Sequence, residues 1–209
     1  QGLKHLNTNI RVVVPSSATV YRPKLGPLNE HDEVGPIHTY GLSKLAQEMQ
    51  SRHFVSRKQQ VVITRSFTHI GPGQSLSYAA SNFAHQVASI EVGKIKPVIH
   101  VGRLDTKRDI MDVRDTVIAY RALMSSSSIA GTYNVCSGRT YQMRDIVMKL
   151  IDLAHVPIET QIDQKRFRTN DYPDLSGDRT KITNAVGWIP KIKLDQTLTD
   201  LLNYWRSRI

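Results

Sequence analysis

Two short β-branched runs flank a long helical pattern near the start of this 209-residue chain, and that order limits the fold more than any other feature. Residues 10–14 read IRVVV and residues 61–67 read VVITRSF. A short, nearly continuous apolar run bounded by turn residues suits a strand buried on both faces. Pro15 is expected to end the first run. A loop rich in Pro and Gly then extends to about Thr39, and YGLSKLAQEMQSRHFVSRK reads as a helix with Glu48 and Arg52 at i,i+4 spacing. Strand, long helix and strand form a βαβ unit, so the two strands should lie parallel.

The rest of the chain keeps alternating. GPGQS is a turn-rich loop, SNFAHQVASIEVGK a helix ended by Gly93, and PVIHVG and RDIMDV are short strands. Asp112 or Asp115 is placed to cap the helix TVIAYRALM, and GTYNVCS is a further strand. Met143, Ile146, Val147, Leu150, Ile151 and Ala154 share one helical face, as do Leu194, Leu198, Leu201, Leu202 and Trp205 near the end. A basic, polar loop is expected over residues 161–181. This alternation predicts an α/β fold with a doubly wound parallel sheet. A dinucleotide-binding sheet of that kind opens with a strand and a G-x-G-x-x-G-like turn. No such turn opens this chain, and GPGQ has the wrong spacing, so the N-terminal strands are expected to be missing.

Charge narrows the partners. The net charge is +10, from 28 Lys+Arg against 18 Asp+Glu. The cations are scattered, and the densest cluster, Lys165, Arg166 and Arg168, carries one aromatic, Phe167. A phosphate-bearing ligand therefore ranks above nucleic acid, and a solvated basic surface is the plainer alternative. No apolar stretch approaches the ~18 residues of a membrane span, and the first residues contain no apolar signal segment. The lone Cys136 fits a reducing cytoplasm and reads as a small buried hydrophobe. No metal, no nucleic acid and no membrane is expected.

In open α/β sheets, ligands bind beyond the carboxyl ends of the strands. Ser16-Ser17-Ala18-Thr19 and Ser66-Phe67-Thr68-His69 occupy those positions, and the helix between them presents Tyr40, with Lys44 one turn on along the same face. A tyrosine ionises near about 10 and is a reluctant acid–base group at neutral pH, and a nearby ammonium favours the phenolate. A serine opposite could hold a carbonyl or alcohol oxygen against the phenol. Tyr-x-x-x-Lys alone occurs by chance in many helices, so its weight comes from context. His69 reads as a structural loop histidine, and Trp188 and Trp205 read as core anchors.

PSSATVY, TYGLSKLAQE, TRSFTHIGPGQS, KRDIMDVRD, YNVCSG and GWIPKIKLDQTL succeed one another in order over nearly the whole chain. Together they resemble the extended short-chain dehydrogenase/reductases acting on nucleotide sugars, the NAD-dependent epimerase/dehydratase family. HIGPGQS and the run from RDIMDVRD to NVCSG are most similar to its GDP-6-deoxy-D-mannose reductases. The resemblance implies a partial Rossmann-type sheet with a smaller C-terminal α/β substrate-binding region. Residues 1–70 would be the C-terminal part of the dinucleotide-binding domain and residues 71–209 mostly the substrate region, with 108–136 returning to the Rossmann sheet. It implies catalytic roles for Ser17, Tyr40 and Lys44, and a nicotinamide (NAD or NADP) lined by Tyr40, Lys44, Ser66 and Phe67. A nucleotide sugar, GDP-linked by preference, would be held by Ser17, Thr68, Arg103, Arg108, Arg168 and Asp171. A homodimer of the full-length form is implied too.

The function implied by the resemblance is that of a 4-keto-sugar reductase yielding GDP-D-rhamnose, with a 4-epimerase using the same triad as the close alternative. An inactive truncated remnant is the non-catalytic rival. Departures bear on this choice. Arg22 stands where relatives carry glycine, and Thr68 where they usually carry asparagine. Thr19 stands where sugar 4,6-dehydratases carry glutamate, which argues against dehydration.

Overall fold

The computed structural model describes residues 10–53, 59–126, 129–167 and 172–209. Strand β1 (Ile10–Ser17) leads through a 3-10 turn (Ala18–Val20) and a long loop to helix α1 (Thr39–His53) and strand β2 (Gln59–Ser66). The two strands pair in parallel, Val14 opposite Ile63 and Ser17 opposite Ser66. Strand β6 (Gly131–Val135) lies on the other side of β2, also parallel, so the sheet order is β1-β2-β6. The β-branched runs and the long crossover thus produce the arrangement that their pattern demands.

Pro15 does not end β1. The strand runs two residues further, with Pro15 opposite Thr64. β1 pairs only with β2 among the described residues, and a residue without an N–H is tolerated where no ladder bond is needed on its side.

A second sheet sets the other half of the molecule. β3 (Thr68–Ile70) and β5 (Lys107–Asp112) are parallel, β7 (Thr140–Gln142) joins β5 antiparallel, and β9 (Asp174–Leu175) joins β5 in parallel. β4 (Val98–Val101) and β8 (Glu159–Ile162) form a separate parallel pair. Residues 108–136 are therefore divided: β6 joins β1 and β2, whereas β5 belongs to the second sheet.

Helices α2 (Ala79–Glu91), α4 (Met143–Asp152) and α6 (Leu194–Arg206) bury their apolar faces against one another, with Val87, Ile146, Leu150, Leu198 and Leu202 inaccessible. Helix α3 (Val113–Ser125) and the short α5 (Thr180–Val186) cover the β2–β6 side, with Leu123, Ile182 and Trp188 in a second core. The Trp188 indole N–H donates to the Asp115 carbonyl (3.2 Å). Trp205 is partly buried and donates to Ser81.

Two acidic residues join the halves. Asp112 caps α3 by accepting from the Arg114 amide (2.8 Å), pairs with the Arg114 guanidinium (2.7 Å) and accepts from Thr197 of α6 (2.8 Å). Asp115 accepts from the amides of Lys191 (3.0 Å) and Ile192 (2.8 Å). Residues 161–181 hold more structure than a polar loop: the end of β8, a 3-10 turn (Gln164–Arg166), β9 and the start of α5. The 161–181 stretch hides these elements because they are short and, in β8, exposed at every position. Among the described residues no helix is long and apolar enough to cross a membrane.

Candidate active site

β1 and β2 end side by side, which brings Ser17 and Ser66 to the same edge of the sheet. Helix α1 starts above that edge. His38 acts as its cap, its Nδ1 accepting from the Gly41 amide (3.0 Å) and its carbonyl from the Leu42 amide (3.1 Å). Gly41 then lets the helix sit on the turn after β1. A Cβ at this position would lie 2.3 Å from the Thr19 carbonyl oxygen and 2.8 Å from the Pro36 side chain. The same turn is held from below by the Tyr172 hydroxyl, shared between the carbonyls of Thr19 (3.0 Å) and Tyr21 (2.9 Å).

Tyr40 emerges from this junction 54 % exposed, and its phenol interacts with the Ser17 hydroxyl. Ser17 Oγ is also 2.9 Å from Thr19 Oγ1. Partial burial raises the Tyr40 pKa, Tyr78 and Tyr120 add to the rise, and the Ser17 contact opposes it. This differs from the lowering expected of Lys44. The Lys44 ammonium lies 5.9 Å from the Tyr40 ring centroid and gives its hydrogen bonds to the Pro15 carbonyl (3.0 Å) and Gln47 (3.3 Å). The i,i+4 spacing places amine and phenol on one face, but main-chain oxygen at the strand tip captures the amine.

Ser66 and Phe67 are both buried. Ser66 Oγ meets the Tyr120 hydroxyl of α3 at 2.6 Å, and Phe67 packs with Ala18, Val20 and Cys136 beneath the site. Cys136 is buried, and its thiol pKa is raised well above the ordinary value by desolvation.

Behind these residues lies a polar network that the motifs do not single out. Glu48, 1 % exposed, accepts from Arg65 Nε (3.0 Å) and Nη2 (2.8 Å) and from the Ser16 hydroxyl (2.5 Å). Arg65 covers the Tyr21 ring at 4.6 Å, and the Tyr21 hydroxyl donates to Asn134 (2.6 Å). Three members neighbour candidate residues: Ser16 precedes Ser17, Arg65 precedes Ser66, and Glu48 lies one helical turn beyond Lys44. The signal in the sequence is an arginine inside an otherwise apolar strand, which needs a buried counter-charge.

The remaining candidates lie outside that cluster. Thr68 begins β3, opposite Ile110. Arg103 pairs with Asp105 (2.8 Å) after β4, and Arg108 in β5 donates to the Lys107 carbonyl (2.7 Å). Arg166, a member of the basic cluster, reaches Asn82 of α2 (3.0 Å) and Asp163 (3.4 Å). Arg168 and Asp171 lie outside the described residues. His69 is at the sheet edge with Nδ1 3.2 Å from the Phe67 carbonyl, and desolvation lowers its pKa.

A family model described as GDP-mannose 4,6 dehydratase matches residues 2–201. The chain belongs to that family. It is 33 % identical to the GDP-6-deoxy-D-mannose reductase of Pseudomonas aeruginosa over 184 residues, 88 % of this chain and 60 % of the relative. It is 27 % identical to the GDP-6-deoxy-D-talose 4-dehydrogenase of Aggregatibacter actinomycetemcomitans, covering 73 % of this chain and 50 % of that protein. The chain thus spans about half to three-fifths of the length of these curated relatives. Among solved structures, RMD from Pseudomonas aeruginosa complexed with NADPH superposes with a TM-score of 0.90 at 31 % identity, over 97 % of this chain and 69 % of that one. An epimerase structure from Burkholderia cenocepacia, described there as putative, gives 0.86 at 34 % identity over 98 % of this chain and 66 % of that one. These likenesses and the parallel strand order make the fold a Rossmann-like α/β one.

Proposed function

We propose that this chain carries the catalytic part of an NAD(P)-dependent nucleotide-sugar ketoreductase, acting on a GDP-4-dehydro-6-deoxy-D-mannose-like sugar and yielding GDP-D-rhamnose. The observation that carries this reading is the placement of the half-exposed Tyr40 phenol near Ser17 and one helical turn from Lys44, at the tip of a parallel sheet. The 33 % identity to a GDP-6-deoxy-D-mannose reductase favours the substrate. On this reading the β1-β2-β6 sheet with α1 and α3 is the C-terminal part of a dinucleotide-binding domain. The second sheet, with α2, α4 and α6, is the substrate region.

The donor set suits the nicotinamide-ribose end of such a cofactor. Lys44 and Tyr40 offer an ammonium and a phenol toward a sugar diol, and the buried Phe67 offers an apolar wall. A bound reduced nicotinamide supplies hydride to the carbonyl carbon. Tyr40 donates the proton to the carbonyl oxygen, and its raised pKa keeps the phenol protonated at neutral pH, the form needed for that role. Ser17 hydrogen-bonds the same oxygen and polarises it. Lys44, anchored on the Pro15 carbonyl, holds charge near the site without drawing the proton from Tyr40. Thr19 offers a hydroxyl and no carboxylate for proton transfer at the sugar's C5 and C6, which favours reduction over dehydration. Thr68, Arg103 and Arg108, with Arg168 and Asp171, would grip the nucleotide, since a diphosphate suits forked cationic donors.

The test is NAD(P)H consumption by the native gene product with the 4-keto GDP-sugar, with the product identified by mass and NMR. Tyr40→Phe should lower turnover by about 10²- to 10⁴-fold while substrate binding stays close to the parent value. Equal turnover by parent and variant, or interconversion of C4 epimers without net cofactor consumption, would defeat the proposal.

A further inference from the structure

A cavity of about 360 Å³, lined by no residue of β1, α1 or β2, lies between the end of β5, the turn after β6 and the segment that enters α6. Its lining contains five basic side chains, Arg139, Lys149, Arg179, Lys191 and Lys193, against two acidic ones, Asp112 and Asp195. Both acids are already engaged: Asp112 with Arg114 and Thr197, Asp195 with Lys149 (2.6 Å). Arg179 is oriented by the Ser137 carbonyl (3.0 Å), which fixes its guanidinium without neutralising it. Arg139, Lys191 and Lys193 have no side-chain partner among the described residues.

The entry to α6 makes this concentration of charge costly. Lys193 is the N-cap of a 13-residue helix and makes no side-chain cap hydrogen bond. Cations are unfavourable at the positive end of a helix, and serine, threonine or aspartate would normally cap the free amides there. The chain instead collects lysines at a helix start, beside an arginine held in place by main-chain contacts. A bound anion would resolve both problems, since it accepts from free amides and neutralises the cations together. The apolar lining of Ile110, Met111, Ile189 and Ile192 gives room for an uncharged body beside the charge.

We propose that this cavity is a second anion site, distinct from the Tyr40 cluster, that binds the phosphate groups of a small phosphorylated ligand. It draws on none of the residues assigned to the keto-sugar site, so the two readings stand or fall separately.

The probe is inorganic pyrophosphate, titrated calorimetrically into the native protein at fixed salt. The double variant Lys191→Ser, Lys193→Ser should weaken binding by at least about tenfold. A control pair on another face, Lys94→Ser and Lys96→Ser, should leave it unchanged. Lys193→Ser alone should raise the thermal midpoint without anion, because serine caps the helix, and should shrink the further rise that pyrophosphate produces. Absence of pyrophosphate binding to the parent overturns the proposal. So does equal weakening by the control pair, which would mean diffuse charge, or an unchanged affinity in the double variant with loss in Arg108→Ser, which would place the binding at the keto-sugar site. Heparin binding without pyrophosphate binding would assign the surface to a macromolecular polyanion and likewise overturn it.

Discussion

Removing the Glu48 carboxylate would isolate one of the most buried charges in the molecule. Arg65 is 4 % exposed, and its Nε and Nη2 both donate to Glu48. In Glu48→Met the guanidinium keeps its charge and its stacking on Tyr21 but has no carboxylate, and the Ser16 hydroxyl loses its acceptor. Breaking a buried pair from one side costs about 3–5 kcal/mol. For a chain of this length each kcal/mol moves the thermal midpoint by roughly 2–4 °C, so the midpoint should fall by roughly 6–20 °C. The exposed Arg52, 3.5 Å from the same carboxylate, should add little. Replacing both partners, Glu48→Met with Arg65→Met, removes the unpaired charge and should recover most of the loss, because well-packed apolar replacements of buried pairs are often neutral. Thermal and urea unfolding of parent, both single variants and the double variant complete the cycle. A double variant as unstable as the sum of the single ones would mean no coupling, and the claim that the pair is a mutually dependent unit would fail.

Individual positions carry further expected outcomes. Gly41→Ala should uncouple α1 from the turn after β1, since the added methyl meets the Thr19 carbonyl; activity should fall more than stability does, read by comparing turnover with the unfolding midpoint. Trp188→Ala should cost about 3–5 kcal/mol in urea unfolding, from lost packing and the freed Asp115 carbonyl. Desolvation raises the buried Asp109 pKa from 3.8 to about 6, against hydrogen bonds from Ser137 and Gly138. The folded state therefore binds the proton more tightly than the unfolded one. This contribution is complete below about pH 4 and is lost as pH rises through about 6, and Asp109→Asn should remove that component from the pH profile of the midpoint.

Much of the fold was legible because its main elements carry strong periodicity. The strands β1 and β2 and the faces of α4 and α6 arise from runs whose apolar positions can only be buried one way. What escaped were elements too short or too exposed to carry a period: β3, β7, β8, β9 and α5. Gly187, with φ of 66°, ends α5 as a C-cap glycine should, but seven residues give no amphipathic signal to go with it. At the site, spacing correctly put Tyr40 and Lys44 on one helical face, yet it could not say where the ammonium would find its acceptors. That depended on the Pro15 carbonyl, which β1 delivers from far away in sequence. The Glu48–Arg65 pair was half visible: Arg65 breaks an apolar run, but the spacing of Glu48 points only to Arg52 along its own helix. Tyr120 gave no signal, because its link to Ser66 exists only once α3 packs beside β2.

The two carboxylates at the β5–α3 junction make the final stretch of the chain a client of its middle. Asp112 and Asp115, 1 % and 2 % exposed, take hydrogen bonds from Lys191, Ile192 and Thr197, about eighty positions onward. A chain cut after Val186 would lose Trp188 and α6, strip Asp115 of its two amide donors and leave Asp112 with Arg114 alone. Synthesis or refolding that releases the chain gradually should therefore leave the junction unsettled until residues 191–197 arrive.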